Sequence, residues 1–442
     1  MHPFRLMNPI LPPSRRAFLK TTAAATLAAP TLTAMLSAGT APAILSGSNL
    51  NSRIGVGFIG TGGRAGAHMK MLEQLREQEK MPIEFAAVCD INWPRVEKAR
   101  ARLNAAKAFM DHRELLADKA VDLVCIATPD HHHGQQSIDA LQAGKHVYCE
   151  KPVTHWRQFE LTRKLAAVSA QSPCAFQCGT QAMSDGAWHQ MRQMVKDGLI
   201  GKPLFGETGF FRIGDWGERG MKIDDPTLKP GPSLDWKEFQ GDAPAREFSV
   251  DRLFRWRLFE DYAGGPVTDL YPHCLAQVVY ILGVGFPEKV VALGGVHRYD
   301  YELRDVPDTF NLIAQYPEKV TISVLGTQAN DFNATPQRGA GQRCPVIRGW
   351  EGSLSIDASN KDILFTPIRE KGAKPPQRIP IEHGENNLEL WKNLIICARE
   401  GRKDTWSPAD LAFRTQTVLH MAMHSHRKGV TAQFDPKQLK IV

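Results

Sequence analysis

The chain has 442 residues, 43% of them hydrophobic and 23% charged: long enough for two domains with their own cores, and too apolar for a disordered chain. Its formal charge of +7 rests heavily on Arg5, Arg15, Arg16 and Lys20, because the N-terminal stretch up to Leu50 carries no acid. The remainder is only mildly basic, which excludes the composition of a nucleic-acid-binding protein.

In chain order, the first feature is Ser14-Arg-Arg-Ala-Phe-Leu-Lys20. An Ala/Thr/Leu-rich run from Thr21 to Leu36 follows, too short for a comfortable membrane span, and Ala41-Pro-Ala43 offers small residues to a signal peptidase. The pattern resembles a twin-arginine export signal over residues 1–43, so the mature chain is expected to start near Ile44, in the periplasm or outside the cell and free of the membrane. That route carries folded proteins, which implies a cofactor loaded before export.

From Arg53 to Pro152, short apolar runs alternate with helical ones. Ile54–Ile59, Phe85–Cys89, Leu123–Ala127 and His146–Cys149 read as strands; Ala65–Gln78, Trp93–Asn104 and Gln135–Ala143 read as helices. This alternation predicts an α/β fold with a doubly wound parallel sheet over residues 53–152, whose ligand lies at the carboxyl ends of the strands, near Gly60, Asp90, Thr128 and Glu150. Gly60-Thr-Gly62-Gly63-Arg64-Ala65 follows a strand and opens a helix, the setting in which G-x-G-x-x-G/A lets backbone approach a pyrophosphate. Asp90 ends the second strand, where a carboxylate accepts hydrogen bonds from an adenosine ribose and repels a 2′-phosphate, which favours NAD over NADP.

Thr128-Pro129-Asp130-His131-His132-His133 reads as a polar loop with one histidine on the nicotinamide side. Consecutive histidines do not converge on one ion, so no metal is expected there. Cys89, Cys125 and Cys149 fall in or beside strands and read as core thiols. Cys174 and Cys178 are open to pairing or to a metal, with unpaired core thiols favoured.

Beyond a helix at Arg157–Ala170 the texture changes. Leu204–Arg212, Val290–His297, Thr309–Tyr316, Lys319–Leu325 and Ser353–Ile356 read as strands of one open-faced, mostly antiparallel sheet in a second α/β domain, residues 153–442. Tyr316–Lys319 reads as a turn, Asp215–Phe248 as long loops over the site, and Asn386–Arg399 and Ala409–Arg427 as closing helices. Basic and aromatic residues gather in Arg252–Arg257, with Trp256 suited to a sugar face and the arginines to an acidic group, or all of them to packing. In Gly264-Gly-Pro-Val-Thr-Asp269-Leu-Tyr-Pro-His273, Asp269 and His273 are spaced to share a helix face, Pro272 requires a helix that has just begun, and Asp269 is also a possible N-cap.

The run GTGGRA, VCD, ATPDHHH and GKHVYCEKP, followed by GPVTDLYPH, resembles the Gfo/Idh/MocA family of glucose-fructose oxidoreductase and inositol dehydrogenase. The resemblance implies a Rossmann domain joined to an open-sheet domain through which copies of the chain associate. It implies an NAD-dependent oxidoreductase acting on a sugar, polyol or glycoside. Lys151 matches the lysine of the family's Glu-Lys-Pro motif, and Asp269 and His273 match its Asp-x-x-x-His pair. Lys151 is then expected to stabilise charge on the reacting oxygen, with His273 as acid/base near neutral pH and Asp269 orienting it. The cofactor set is Gly60, Gly62, Gly63, Arg64, Asp90, Thr128, Pro129, His133, Glu150 and Lys151. Pro272, and Gln181-Ala-Met183 where many relatives carry an arginine, depart from the pattern and leave the substrate open. The alternatives are an NAD-using glycoside hydrolase like the exported α-N-acetylgalactosaminidases, and a cofactor-bound binding protein without turnover.

Overall fold

A computed structural model describes residues 53–215, 217–338 and 341–442. The twin-arginine reading of residues 1–43 lies outside the described residues.

The first layer is built in strict alternation: β1 (Ile54–Ile59), α1 (Gly63–Glu77), β2 (Ile83–Cys89), α2 (Trp93–Leu103), β3 (Lys107–Phe109), α3 (His112–Ala117), β4 (Leu123–Ile126), α4 (Asp130–Gln142), β5 (His146–Cys149), α5 (Phe159–Gln171) and β6 (Phe176–Cys178). All six strands pair in parallel, in the order β3-β2-β1-β4-β5-β6. Every residue of β1 and β4 is buried, as strands covered by helices on both faces require. The order reverses between β1 and β4, which opens the ligand crevice at their carboxyl ends.

The parallel sheet runs past the Pro152 boundary read from sequence. β6 adds to β5, and a helix from the end of the chain packs on the same core through Leu390, Trp391 and Leu394. The three-residue β6 is too short to show a period. The polar loop expected at His131–His133 is instead the first turn of α4. Pro129 sets φ −64° just before it, and Asp130 places a carboxyl at the positive helix end.

The second layer follows α6 (Gly186–Lys196). β7 (Pro203–Phe211) leads into short helices α7 (Trp236–Gln240), α8 (Val250–Phe254) and α9 (Pro266–Asp269), and then α10 (Tyr271–Leu282). Strands β8 (Lys289–Gly295), β9 (Thr309–Gln315), β10 (Thr321–Thr327), β11 (Gln342–Gly349), β12 (Gly352–Ile356), β13 (Asp362–Pro367) and β14 (Gln377–Pro380) follow. Helices α11 (Asn387–Glu400) and α12 (Ala409–Lys428) and strands β15 (Ala432–Asp435) and β16 (Lys440–Ile441) close the chain. The ten strands make one sheet in the order β14-β13-β12-β11-β7-β10-β9-β8-β15-β16, antiparallel except for β7 beside β10. The turn at Tyr316–Lys319 joins β9 to β10 as expected, with Lys319 at φ +62°. α10 and α12 cover one face over Val290, Leu312 and Val324, while Val291, Leu293, Ile313 and Leu325 on the other face are exposed. All eight cysteines are free and buried, Cys174 and Cys178 included.

Candidate functional site

Both layers wall a cavity of about 580 Å³ at the carboxyl ends of β1, β2, β4 and β5. Its first half comes from the glycine-rich turn. Gly60 has φ +82°, and a Cβ there would sit 2.9 Å from the Ala127 carbonyl, so this position is closed to any side chain. Around Gly63 a Cβ would meet nothing within 4 Å, which leaves open space over the start of α1. Gly62 caps that helix with no side-chain hydrogen bond, so its first N–H groups face the opening. A dinucleotide's pyrophosphate fits this arrangement.

Asp90 pins the turn. Its Oδ2 accepts from Thr61 N at 2.7 Å and Thr61 Oγ1 at 3.1 Å, and its Oδ1 accepts from Asn92 N at 3.0 Å. It also lines the cavity, as do Thr128 and Pro129. His133 reaches the cavity edge but is 1% exposed, its ring lying between the carbonyls of Pro152 at 2.6 Å and Thr128 at 2.8 Å, to one of which the single N–H of the neutral ring donates. Burial pushes its pKa down to about 4. It braces the end of β4 against the Lys151-Pro152 segment, where the sequence suggested a cofactor contact.

Glu150 lies beneath the cavity and binds three donors on Oε1: Arg64 Nε at 2.8 Å, His68 Nε2 at 2.8 Å and Gln181 Nε2 at 2.9 Å. Burial alone would raise its pKa, but the Arg64 charge and these hydrogen bonds hold the carboxyl well below its usual range. The Trp391 indole donates to His68 Nδ1 at 3.1 Å, which fixes the proton on Nε2 and makes His68 a donor to Glu150. Burial keeps that imidazole neutral by lowering its pKa.

The other half of the cavity centres on Asp269. Its Oδ1 accepts from Lys151 Nζ at 2.9 Å and pairs with Arg257 Nε at 3.2 Å, and Arg212 approaches its Oδ2 at 3.9 Å. Lys151 Nζ also donates to the Asp269 carbonyl at 2.6 Å. Burial opposes ionisation, but the charges of Lys151, Arg257 and Arg212 hold Asp269 well below the usual carboxylate range. Glu218, fully buried 3.6 Å from Arg212, is displaced upward by burial and then by the Asp269 charge. Burial also pushes the Asp130 carboxyl up to about 7.

Two expectations are corrected here. The Asp269 carboxylate turns to Lys151 and Arg257, and among the described residues no hydrogen bond joins it to His273, although Leu270 between α9 and α10 stays in helical backbone. Nor does Asp269 cap α10, which has no side-chain cap. His273 lines the cavity, but burial and then the Lys151 charge push its pKa down to about 3, so it is a neutral imidazole at neutral pH. Pro272 falls in the first turn of α10, where a missing N–H costs nothing.

The structure thus brings Gly60, Gly62, Gly63, Arg64, Asp90, Thr128, Pro129, His133, Glu150, Lys151, Asp269 and His273 to one cavity. It adds Arg212 and Arg257, with Arg257 lying over the Trp256 ring at 4.2 Å. The basic-aromatic run at Arg252–Arg257 had signalled Arg257. Nothing local signalled Arg212, Glu218, His68 or Trp391. Among the described residues, no group of three His, Cys, Asp or Glu side chains is placed to hold a metal ion.

Residues 54–180 match the family model described as "Oxidoreductase family, NAD-binding Rossmann fold", and residues 238–355 match the "GFO/IDH/MocA C-terminal domain". An inositol 2-dehydrogenase/D-chiro-inositol 3-dehydrogenase of Shouchella clausii is 32% identical over 150 residues, covering 34% of this chain and 42% of that protein. An alpha-N-acetylgalactosaminidase of Shewanella oneidensis is 27% identical over 227 residues, 46% of this chain and 47% of that one. The aligned stretches therefore span less than half of these curated relatives. A levoglucosan dehydrogenase solved with NADH and levoglucosan superposes with a TM-score of 0.64 at 17% identity, covering 86% of this chain and 99% of that one, a likeness of fold.

Proposed function

Because the chain belongs to the Gfo/Idh/MocA oxidoreductase family, we propose that it is an NAD-dependent enzyme acting on a sugar, polyol or glycoside, with Lys151, His273 and Asp269 as its working groups. The observation that carries this reading is Lys151: an ammonium anchored twice to Asp269 at the end of β5, in the cavity that also contains the glycine-rich turn. When bound, NAD would supply the hydride acceptor. Gly60, Gly62, Gly63, Arg64, Asp90, Thr128 and Pro129 would hold it, with Glu150 fastening Arg64 from below.

Lys151, restrained by Asp269, presents its remaining N–H to a substrate hydroxyl and stabilises negative charge growing on that oxygen. His273, neutral at rest, is in the protonation state that accepts a proton. Asp269 positions Lys151. Arg257, lying over the buried Trp256 ring, brings a cation to the same end of the cavity, suited to the hydroxyls of a polyhydroxylated ring.

A second reading, redox-neutral glycoside hydrolysis, is supported by the alignment to the galactosaminidase, which spans a longer stretch than that to the inositol dehydrogenase. The twin-arginine pattern at Ser14–Lys20 supports export with a tightly held cofactor, since no nicotinamide pool is replenished outside the inner membrane. The exposed Val291, Leu293, Ile313 and Leu325 on adjacent strands support association with a second copy through the open sheet face.

The test is to purify the full chain, identify released ligands by mass spectrometry, and follow turnover of the substrate so found with excess free NAD. Stoichiometric NADH accumulation establishes a dissociating dehydrogenase. Product without net NADH establishes the internal cycle, and absence of any bound or acquired nicotinamide overturns both readings.

A further inference from the structure

Neither family model covers residues 181–237, and part of that stretch lies across the dinucleotide site. A second cavity, of about 510 Å³, adjoins the first. The two share Gly62, Gly63 and Arg64 at the start of α1, and Met221, Phe254 and Arg257 from the second layer, with Arg95 between. They are therefore two mouths of one groove divided where the segment beginning at Met221 passes over the pyrophosphate position.

This segment is fastened unequally. Its far end is held by backbone: Trp93 N donates to the Ser233 carbonyl at 2.9 Å, Asp235 N donates to the Ile91 carbonyl at 3.0 Å, and Asn92 bridges to Leu234, a buried member of the local apolar cluster. Among the described residues its near end meets the first domain through one ion pair, while Met221 is tied within the second layer by Arg255 Nε, which donates to its carbonyl at 3.3 Å, and by packing on the same apolar cluster. Arg95 Nε meets Asp224 Oδ2 at 2.8 Å and a second Arg95 nitrogen meets it at 2.6 Å, with the guanidinium 5.0 Å from the Phe254 ring. The side chains of this pair are 27% and 43% exposed.

We propose that Met221–Trp236 is a strap that closes over the dinucleotide's pyrophosphate and retains the cofactor in the chain, with the Arg95–Asp224 pair as its latch. This rests on the NAD reading above and adds the element that sets how fast the cofactor leaves. A dinucleotide lying on Gly62 and Gly63 passes beneath Met221, so it leaves by that side only when the near end of the strap swings away about its backbone-bonded far end. The latch is the contact with the first domain whose loss makes that swing easier. Because it is partly exposed, salt weakens it, and its share of retention is modest: no more than about fivefold in the open–closed equilibrium.

The experiment uses the full chain loaded with NADH, mixed by stopped flow with excess NAD while bound-NADH fluorescence decays. Asp224→Ala is expected to release NADH about three to five times faster than the parent at low salt. Added salt is expected to speed the parent toward the variant's rate and to leave the variant nearly unmoved. Glu160→Ala, which removes an acid from the exposed Arg163 pair on α5, is the charge control and should match the parent. Equal rates for the parent and Asp224→Ala overturn the strap while the cofactor reading stands. Equal acceleration by Glu160→Ala overturns it too, since net charge alone would then explain the effect. A parent that takes up no NADH overturns the cofactor reading and the strap with it.

Discussion

The two halves of the cavity are built by opposite means. The dinucleotide half is local: Gly60 to Arg64 and Asp90 follow directly on neighbouring parallel strands, and a backbone turn with one carboxylate pin does the work. The substrate half is assembled from distant pieces. Lys151 ends β5, Arg212 follows β7, Glu218 and Arg257 come from the long connection after it, and Asp269 ends α9. In the local half the chain's own geometry makes the site. In the distant half charge does, since three cations converge on one buried carboxylate.

The sharpest way to break that contrast is Asp269→Asn. Removing one partner of a buried ion pair leaves the other charges uncompensated and costs about 3–5 kcal/mol of stability. The substrate half should lose order while the glycine-rich turn is untouched. Denaturant unfolding should therefore show a large loss, and NADH affinity of the folded fraction should be nearly unchanged. If the variant unfolds like the parent, the cluster is held by packing and the charge account fails.

Lys151→Met comes next in size. It removes the ammonium but leaves Asp269 with Arg257 and Arg212, so the fold should survive. Turnover on the identified substrate should fall by about a hundredfold or more, the scale of losing one electrostatic stabiliser of the transition state. Cofactor binding should persist. Near-parental turnover would make Lys151 a structural partner of Asp269 only.

These two variants also mark what the sequence could and could not say. The Gly60–Ala65 turn, Asp90 and the Glu150-Lys151-Pro152 corner were legible because each sits at a strand end in a βα repeat whose period is written in the chain. Asp269 and His273 were legible as a pair, but their relation was not: a four-residue spacing suggests a carboxylate turned to an imidazole, whereas the carboxylate is taken by Lys151 and Arg257 from distant parts of the chain. Trp391 and His68, which hold Glu150, stand 323 positions apart, beyond the reach of any local pattern. The ten-stranded sheet was recognisable from its central strands. Its edges were not, because β14 and β16 are short and exposed and carry no alternation.

The third test is pH, and it separates His273 from the charge cluster around it. Its folded-state pKa is about 3, below the 6.5 of an ordinary imidazole, so between those values the unfolded chain binds the extra proton. Stability therefore rises with pH through that window and is lost as pH falls through it. Buried His133, His155 and His420, at about 4, 3 and 4, act in the same direction, while Asp130, raised to about 7, opposes them. His273→Asn should flatten the acid arm by at most one proton, about 1.4 kcal/mol per pH unit at its steepest. An unchanged slope of unfolding free energy against pH would place the ring in water and return its pKa to the neutral range.

The smallest effect belongs to Asp90, and it decides whether the local half reads its ligand or merely holds its own shape. Oδ2 already takes both Thr61 donors and Oδ1 takes Asn92 N, so the carboxylate is committed to the turn before any ribose arrives. Oδ1 keeps one further lone pair, and the residue lines the cavity, so it can also accept a ribose hydroxyl and repel a 2′-phosphate. Asp90→Ser removes the charge and leaves one acceptor. Loosening the turn weakens both cofactors alike, whereas losing the charge helps only NADP, so the ratio of the two dissociation constants is the quantity to measure. NAD preference should narrow by about tenfold, the scale of one hydrogen bond to a charged group, roughly 1.5 kcal/mol. If both affinities fall together and the ratio holds, Asp90 is a pin for the turn, and the choice between NAD and NADP is made by another residue of the groove.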